Sequence, residues 1–371
     1  MKKPRIAAFG GFRGIPPKAG AAGSDKFAYE LYPRIAKRGY EVLAYARIYP
    51  GENNDLHNEY DGVKIKYFKT VNKAGFDSLV HSCKVTFDIV FHNTADVIHI
   101  HSGANAIWAL LLRLFGKKVY ISQFAMDWKR DKWPWYGKLF YLFSNYLTAY
   151  CPNEVIFDNV YSKEYFEKKF NKTYSFIPYG SEVIRPTESN STLKLLGIEP
   201  YEYFLFVGRF IPDKGVHLLI EAFKELQTNK KLLLVGGAPN PNEYEKMIFS
   251  SKSEQIIIPG YIYGDDINRL IMNAYVYVQP SLIEGLSPVV LTVMGLGAPL
   301  ICSDIRENTY ITKDNALLFE SGNEESLHRA LNYSLDYQEE LKQKAQAGEK
   351  DISTRFNWEK ITDQFVELFT K

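Results

Sequence analysis

The chain has 371 residues, of which 46% are hydrophobic and 24% are charged, a globular balance that excludes an intrinsically disordered chain. At about 150 residues per domain, this length predicts two domains. Lys and Arg number 45 against 43 Asp and Glu, a formal net charge of +2. This near-neutral balance excludes a protein that holds nucleic acid by bulk positive charge. The aromatic content, 15%, is unusually high.

The three cysteines, Cys83, Cys151 and Cys302, are too widely spaced for a disulfide framework or a zinc ribbon. A reducing cytoplasm is the simplest interpretation. The apolar stretch near the start is too short and too rich in glycine for a signal peptide. No apolar run approaches the length of a membrane span, because the best one, 106–115, is interrupted by Arg113.

Short apolar runs alternate with helical patterns along the whole chain, which predicts two doubly wound α/β domains with parallel sheets. In the first half, strands are predicted at 6–10, 41–47, 63–69, 96–102, 117–124, 154–158 and 174–178. In the second half, they are predicted at 203–208, 231–236, 255–259, 276–280, 299–303 and 316–319. Phe27, Leu31 and Ile35 recur with helical spacing, although Pro33 should bend that helix.

The domain boundary is predicted near the middle of the chain, where a turn cluster at 178–181 precedes a polar stretch without periodicity. We therefore predict a first domain over 1–182 and a second over 192–352. The amphipathic segment 353–371 forms one further helix. Doubly wound sheets bind ligands beyond the carboxyl ends of their strands, so functional residues should directly follow strands.

The sharpest motif, Gly-Arg-Phe-Ile-Pro-Asp-Lys-Gly at 208–215, directly follows a predicted strand. It places Arg209 five residues before Lys214, which lies at the start of a predicted helix. Two cations beside a helix N-terminus suit a diphosphate, because the backbone dipoles add to their charge. The alternative is a solvated basic turn, and the motif alone does not separate the two.

A second motif, Pro-Ser-Leu-Ile-Glu-Gly-Leu-Ser-Pro at 280–288, also follows a predicted strand. Its Ser287, followed by proline, is typical of a helix start with serine as the N-cap. Glu284 can accept hydrogen bonds from sugar hydroxyls, while the amides of Leu286 and Ser287 face a phosphate. Alternatively, Glu284 is a surface residue favoured by the helix dipole.

A glycine-rich loop at 10–24 follows the first predicted strand, where glycines let the backbone approach a ligand closely. The alternative is a flexible loop that binds no ligand. It matches neither the dinucleotide fingerprint nor a P-loop, which disfavours an oxidoreductase and a P-loop NTPase. His99 and His101 share one face of a strand and lack a third ligand, so we predict that they are core or cleft residues. No D-x-D pair occurs, and we predict no catalytic metal and no cofactor.

Nine aromatic residues lie within 128–150. The cations at the front of this segment are Lys129, Arg130, Lys132 and Lys138. Rings beside cations suit contact with the surface of an anionic membrane, and packing in the core is the alternative. We predict that the helix 137–150 is largely core and that 133–135 is its exposed part.

Together these motifs resemble those of GT-B retaining glycosyltransferases of family 4. The similar segments in the second half are 208–215, 260–262 and 280–288. The segments 13–16, 99–101, 126–133 and 177–180 resemble a subgroup that includes bacterial rhamnosyltransferases. The resemblance covers nearly the whole chain. It implies two facing Rossmann-like domains and a C-terminal helix that crosses back to the first.

The resemblance also implies a nucleotide-diphosphate sugar (UDP-, dTDP- or GDP-) as donor and a saccharide or lipid-linked saccharide as acceptor. The residues implied in catalysis are Asp127, Glu284, Arg209 and Lys214. The positions implied on the donor side are Arg209, Lys214, Gly236, Tyr261, Ile262, Glu284, Gly285, Leu286, Ser287, Thr292 and Gly14. The positions implied on the acceptor side are Arg13, Gly20, His101 and Asp127. Such enzymes act mainly by positioning the substrates and stabilising the leaving diphosphate.

Two positions depart from the family pattern. Thr292 stands where a second Glu usually holds the ribose hydroxyls, and Phe124 stands where a His often precedes the Asp-Trp motif. Either the donor differs from the usual one or catalysis is impaired. The aromatic and basic segment and the rhamnosyltransferase resemblance motivate the first hypothesis, a sugar transferase that builds a surface polysaccharide on a lipid-linked acceptor at the inner face of the membrane. The second is a catalytically impaired or partner-dependent relative, and the third, disfavoured, is the oxidoreductase.

Overall fold

The computed structural model describes residues 3–17, 23–51, 57–71, 76–124, 134–181, 185–186, 191–238 and 242–371. The chain divides into two compact units. The N-terminal unit comprises Met1–Tyr179 and Trp358–Lys371, and the C-terminal unit comprises Gly180–Asn357. The N-terminal unit therefore contains both ends of the chain.

The N-terminal unit is built on an eight-stranded sheet in the order β3-β4-β2-β1-β5-β6-β7-β8. Its strands are β1 Ile6–Phe9, β2 Val42–Ile48, β3 Glu59–Tyr60, β4 Val63–Lys69, β5 Val97–His101, β6 Lys118–Gln123, β7 Glu154–Phe157 and β8 Ser175–Phe176. All neighbours are parallel except β3 and β4, which form an antiparallel edge. Sequence patterns missed β3, because two residues are too few to show a period.

Helices cover both faces of this sheet. They include α1 Gly23–Lys37, α2 Phe76–His92, α3 Ile107–Leu114, α4 Trp135–Tyr150 and α5 Val160–Phe170. The connection from β1 to β2 and the connection from β5 to β6 run in opposite directions across the sheet. Because both connections are right-handed, their helices α1 and α3 lie on opposite faces. Val85 and Ile89 of α2 and Ala109 and Leu112 of α3 share one core with the strand residue Ile98. No helix among the described residues has the length and apolar content needed to span a bilayer.

The C-terminal unit is a six-stranded, entirely parallel sheet in the order β11-β10-β9-β12-β13-β14. Its strands are β9 Tyr203–Arg209, β10 Lys231–Gly237, β11 Ile256–Gly260, β12 Val276–Gln279, β13 Leu300–Ser303 and β14 Leu317–Phe319. Its helices are α6 Ser191–Leu196, α7 Val216–Lys224, α8 Glu243–Ser250, α9 Asp265–Met272, α10 Pro288–Gly295, α11 Arg306–Thr312, α12 Glu324–Asp336 and α13 Gln338–Arg355. The prediction of two doubly wound sheets is confirmed, and β9 lies at the centre of this one.

The last helix, α14 (Trp358–Thr370), belongs to the N-terminal unit, as the resemblance implied. It begins at Trp358 rather than at residue 353, because α13 continues to Arg355. Its Phe365 is 1% exposed, and the ring centroid lies 5.7 Å from that of Phe27 on α1. α14 thus covers the face of the sheet opposite α2 and α3.

We expect Phe365→Ala to lower the free energy of unfolding by about 3–5 kcal/mol, because it removes a buried ring and leaves a cavity. Equilibrium urea unfolding measures the change. The matched control is Phe91→Ala, since Phe91 is 75% exposed and should alter stability by less than about 0.5 kcal/mol. Equal losses in the two variants would contradict the packing of α14 on α1.

Candidate functional site

Two loops meet at the carboxyl ends of the neighbouring strands β9 and β12. The amides of Leu282 and Ile283 donate hydrogen bonds to the carbonyl oxygen of Asp213, at 2.9 and 3.3 Å. Gly215, with φ of 64°, lies directly against Pro280, and a Cβ at this glycine would overlap the Pro280 carbonyl oxygen. The two motifs singled out in the sequence, 208–215 and 280–288, therefore form one site.

The centre of this site is an ion pair between the Lys214 ammonium and Glu284 Oε1. The same carboxylate oxygen accepts hydrogen bonds from Gln279 Nε2 at 2.8 Å and from Ser281 Oγ at 2.7 Å. The Glu284 side chain is 8% exposed, so the alternative of an ordinary surface residue is wrong. No donor among the described residues reaches Oε2, which leaves this oxygen able to accept a hydrogen bond from a ligand.

The protonation state of Glu284 follows from two opposing effects. Burial raises its pKa, but the charge of Lys214 and the hydrogen bonds from Lys214, Ser281 and Gln279 outweigh that effect. The pKa therefore lies below its ordinary value, and Glu284 is a carboxylate at neutral pH. In this form both of its oxygens are hydrogen-bond acceptors.

A buried polar chain fixes the orientation of Gln279. The Tyr277 hydroxyl lies 3.0 Å from Gln279 Oε1 and 3.1 Å from the carbonyl oxygen of Val207 on β9. Because the Gln279 oxygen faces Tyr277, the Gln279 amide nitrogen faces Glu284. Sequence analysis missed Tyr277 and Gln279, although both are polar residues on the same face of an otherwise apolar strand.

Arg209 is the second cation of the site and ends β9. It is exposed, and no described residue forms an ion pair with it. Beside it, Gly236 has a φ of 143° and lies so close to Gly208 that a Cβ would overlap the Gly208 carbonyl oxygen. The strand ends next to Arg209 thus present bare backbone that a ligand can approach closely.

An exposed aromatic pair follows β11. The rings of Tyr261 and Tyr263 stack with centroids 5.8 Å apart and an interplanar angle of 6°, and Ile262 between them is half-buried. Burial raises the pKa of Tyr261, and the positive charge of Arg209 opposes that rise. A flat, exposed aromatic surface suits stacking against a planar group.

The N-terminus of α10 completes the site, and only Leu286 separates its N-cap residue from the half-buried Gly285. Ser287 occupies the N-cap position, but the predicted side-chain capping bond is not formed. Its hydroxyl is buried and has no hydrogen-bond partner among the described residues. One turn later, the Thr292 hydroxyl donates to the carbonyl oxygen of Pro288 at 3.0 Å. This end of α10 therefore offers backbone amides to an anion, whereas the Ser287 hydroxyl is enclosed and the Thr292 hydroxyl bonds to its own helix.

The predicted histidines are core residues of the N-terminal unit. The Tyr32 hydroxyl lies 2.5 Å from His101 Nε2 and 2.9 Å from His99 Nδ1, and both rings are fully buried. Burial lowers the pKa of His101 to about 3, so the ring is neutral. The Phe124 ring packs against His101 with centroids 5.6 Å apart. His101 therefore exposes no atom to solvent in this unit.

The remaining predicted residues lie in the N-terminal unit or outside the described residues. Gly14 is buried, and Arg13 is exposed with its guanidinium 5.3 Å from the ring centroid of Tyr49. Gly20 and Asp127 lie outside the described residues. Within the described ranges, no cluster of His, Cys, Asp or Glu is suited to hold a metal ion.

We expect Lys214→Met to destabilise the C-terminal unit by about 3–5 kcal/mol at pH 7, because Glu284 is then a buried charge without its cation. In the wild type, Glu284 has a lowered pKa. Its contribution to the free energy of unfolding is therefore complete above its ordinary pKa and is lost as pH falls. In the variant, burial raises the pKa instead, so the penalty should shrink as pH falls toward about 4.

Urea unfolding at the two pH values tests this expectation. Lys246→Met is the matched control, because Lys246 is 70% exposed in its pair with Glu243 and such pairs contribute about 0–1 kcal/mol. A loss in Lys214→Met that is the same at both pH values would contradict the account.

Part of the chain matches a family of known proteins, and several glycosyltransferases are similar to it in sequence. Residues 193–351 match the family model described as Glycosyl transferases group 1, a range that includes Arg209, Lys214 and Glu284. An uncharacterized glycosyltransferase from Methanocaldococcus jannaschii is 25% identical over 336 residues, 89% of each protein. The putative teichuronic acid biosynthesis glycosyltransferase TuaC of Bacillus subtilis is 30% identical over 137 residues, 35% of this chain and 33% of that protein.

Among solved structures, Anabaena HepE in complex with UDP-glucose superposes with a TM-score of 0.81 and covers 99% of both chains. The sequence identity is 16%, so this likeness establishes the fold and nothing finer. The match extends over both units, beyond the range of the family model. The chain therefore has the GT-B fold of glycosyltransferases, and its residues 193–351 resemble the family Glycosyl transferases group 1.

Proposed function

We propose that the protein transfers a hexose, with rhamnose as the first candidate, from a nucleoside-diphosphate sugar to a saccharide acceptor. The observation that carries this proposal is the pairing of Lys214 with Glu284 beside the unpaired Arg209. The pair supplies a charged carboxylate with one open oxygen, which suits a sugar hydroxyl. Arg209 supplies a free cation, which suits a diphosphate.

The proposed reaction breaks the bond between the sugar C1 and a phosphate oxygen and forms a bond from C1 to the acceptor oxygen on the same face. The acceptor hydroxyl proton goes to the departing phosphate. Arg209 and the amides of Leu286 and Ser287 stabilise the charge of the leaving diphosphate. Glu284 Oε2 accepts a hydrogen bond from the donor sugar and fixes its orientation.

Thr292 bears on which nucleotide is used. The resemblance implies that this position lies beside the ribose, where a carboxylate usually binds the hydroxyls, yet the Thr292 hydroxyl already bonds to the carbonyl oxygen of Pro288. A ribose therefore gains little here from its 2′-hydroxyl, so a dTDP-sugar, which lacks that group, loses little. This supports dTDP-rhamnose as a donor candidate. HepE was solved with UDP-glucose, which makes the uridine nucleotides the first comparison.

The acceptor is proposed to be a growing cell-surface polysaccharide, carried on a lipid. The similarity to a teichuronic acid biosynthesis glycosyltransferase supports the polysaccharide. A catalytically impaired relative is the second candidate, because Phe124 packs an apolar ring beside His101 where the family often has a polar side chain. Both candidates bind a nucleotide diphosphate, and only the first turns a nucleotide sugar over.

We expect Arg209→Ala to weaken binding of UDP and dTDP about 10- to 150-fold, because one charge-assisted contact of about 1.5–3 kcal/mol is lost. Isothermal titration calorimetry on the full chain measures the affinity. Arg329→Ala is the matched control, since its side chain is 61% exposed and pairs with Glu325 on α12. Unchanged affinity in Arg209→Ala would remove the diphosphate assignment.

We expect Glu284→Gln to lower sugar transfer by about 100-fold or more while binding of the free nucleotide diphosphate is kept, because this residue contacts the sugar rather than the phosphates. A screen of nucleotide sugars that measures release of the nucleotide diphosphate gives the rate. Glu243→Gln, with Glu243 88% exposed, is the control. A wild-type chain that binds nucleotides but turns over no nucleotide sugar would favour the impaired relative.

A further inference from the structure

A glutamate beside the end of β10 has a carboxylate oxygen that the proposed sugar transfer does not use. Glu245 lies in the first turn of α8, where the side chain of the N-cap residue Asn242 accepts a hydrogen bond from its amide at 2.9 Å. In a capping box, a glutamate at this position bonds in return to the backbone amide of the cap residue. Glu245 instead accepts a hydrogen bond from the amide of Ala238 at 2.6 Å. Its side chain is therefore turned from its own helix toward the end of β10.

Only one of the two carboxylate oxygens of Glu245 is engaged. Oε1 accepts the hydrogen bond from the Ala238 amide, and no donor among the described residues reaches Oε2. The residue is half-buried, so part of its side chain remains accessible to a ligand. Glu284 has the same arrangement, with one oxygen held by protein donors and one open. Glu245 is thus a second oriented carboxylate at the carboxyl end of this sheet.

Glu245 and the exposed Tyr261 ring approach each other over Gly237, the last residue of β10. A Cβ at Gly237 would lie 3.1 Å from Glu245 Oε1 and 2.9 Å from Cε2 of the Tyr261 ring. Both groups therefore border the same point above the strand end, because glycine leaves that point empty. Gly237 is also paired with Arg209 on β9. The carboxylate, the ring and the second cation of the site thus lie at neighbouring strand ends.

Four groups of different chemistry lie at the ends of four neighbouring strands, β12, β9, β10 and β11. In that order they are Glu284, Arg209, Glu245 and Tyr261. A nucleoside-diphosphate sugar has a matching order of parts, namely sugar, diphosphate, ribose and planar base. In the proposed function, the sugar lies at Glu284 and the diphosphate at Arg209. The ribose then meets the end of β10, and the base meets the aromatic surface after β11.

We propose that Glu245 is a specificity-determining residue, whose free Oε2 accepts a hydrogen bond from a ribose hydroxyl of the donor nucleotide. This inference rests on the proposed function and deepens it. A carboxylate repels a phosphate, so the partner of Oε2 is an uncharged hydrogen-bond donor. The resemblance implies a ribose-binding carboxylate at position 292, but Thr292 bonds to the carbonyl oxygen of Pro288 in its own helix. Glu245 supplies the missing carboxylate from the end of β10.

Calorimetric titration of the full chain with UDP and with 2′,3′-dideoxy-UDP tests the proposal. The wild type should bind UDP about tenfold or more tightly than the dideoxy nucleotide, because a charge-assisted hydrogen bond is made only with UDP. Glu245→Gln keeps an oxygen for the Ala238 amide and replaces the free carboxylate oxygen with an amide group. It should weaken binding of UDP about tenfold or more, and it should not weaken binding of 2′,3′-dideoxy-UDP, which has no ribose hydroxyl to donate.

Glu243→Gln is the matched control, since Glu243 lies on the same helix with its side chain 88% exposed, and it should bind both nucleotides like the wild type. Equal weakening of both nucleotides in Glu245→Gln would mean that Oε2 bonds to the base, and it would overturn the proposal. Equal wild-type affinities for the two nucleotides would overturn it without any variant and would leave the diphosphate site standing. A wild type that binds no UDP would overturn the proposed function together with this inference.

Discussion

The ion pair of Lys214 with Glu284 joins residues that are 70 positions apart along the chain. It exists because β9 and β12 are neighbours in a parallel sheet and their following loops share the Asp213 carbonyl oxygen. Only glycine at position 215 allows the two loops to approach so closely. The charge state of Glu284, the free oxygen it presents and the isolation of Arg209 as a separate cation all depend on this meeting of loops.

The electrostatics of the site follow from that pairing. Lys214 and Glu284 neutralise each other, which leaves Arg209 and the amides at the start of α10 as the positive groups of the site. In the proposed reaction, a diphosphate meets one full cation and a helix N-terminus, while a sugar hydroxyl meets a carboxylate that is already oriented by Gln279 and Ser281. Pre-oriented groups need little rearrangement when charge develops on a leaving group. This division of roles within one unit is the basis of the proposed sugar transfer.

Much of this could be predicted from sequence, for identifiable reasons. The alternation of apolar runs and helical patterns found every strand except β3, which is too short to show a period. The motifs containing Lys214 and Glu284 were visible separately, but their contact depends on strand order, which local patterns do not contain. Tyr277 and Gln279 were missed because the sequence of a short strand does not show that its polar residues are buried and bonded to each other. The prediction that α4 is largely core was wrong, because the inner side of this helix consists of small and polar residues. Its aromatic-rich sequence suggested instead that the rings are buried.

The most direct test of the central claim is a comparison of uridine, UMP and UDP binding to the full chain by calorimetry. A site built on Arg209 and the start of α10 recognises the phosphates, so UDP should bind about tenfold or more tightly than UMP, and uridine least tightly. The advantage of UDP should decrease as salt rises, because it is electrostatic. Equal affinities for UDP and UMP, or no binding of any of the three, would contradict the account of this site.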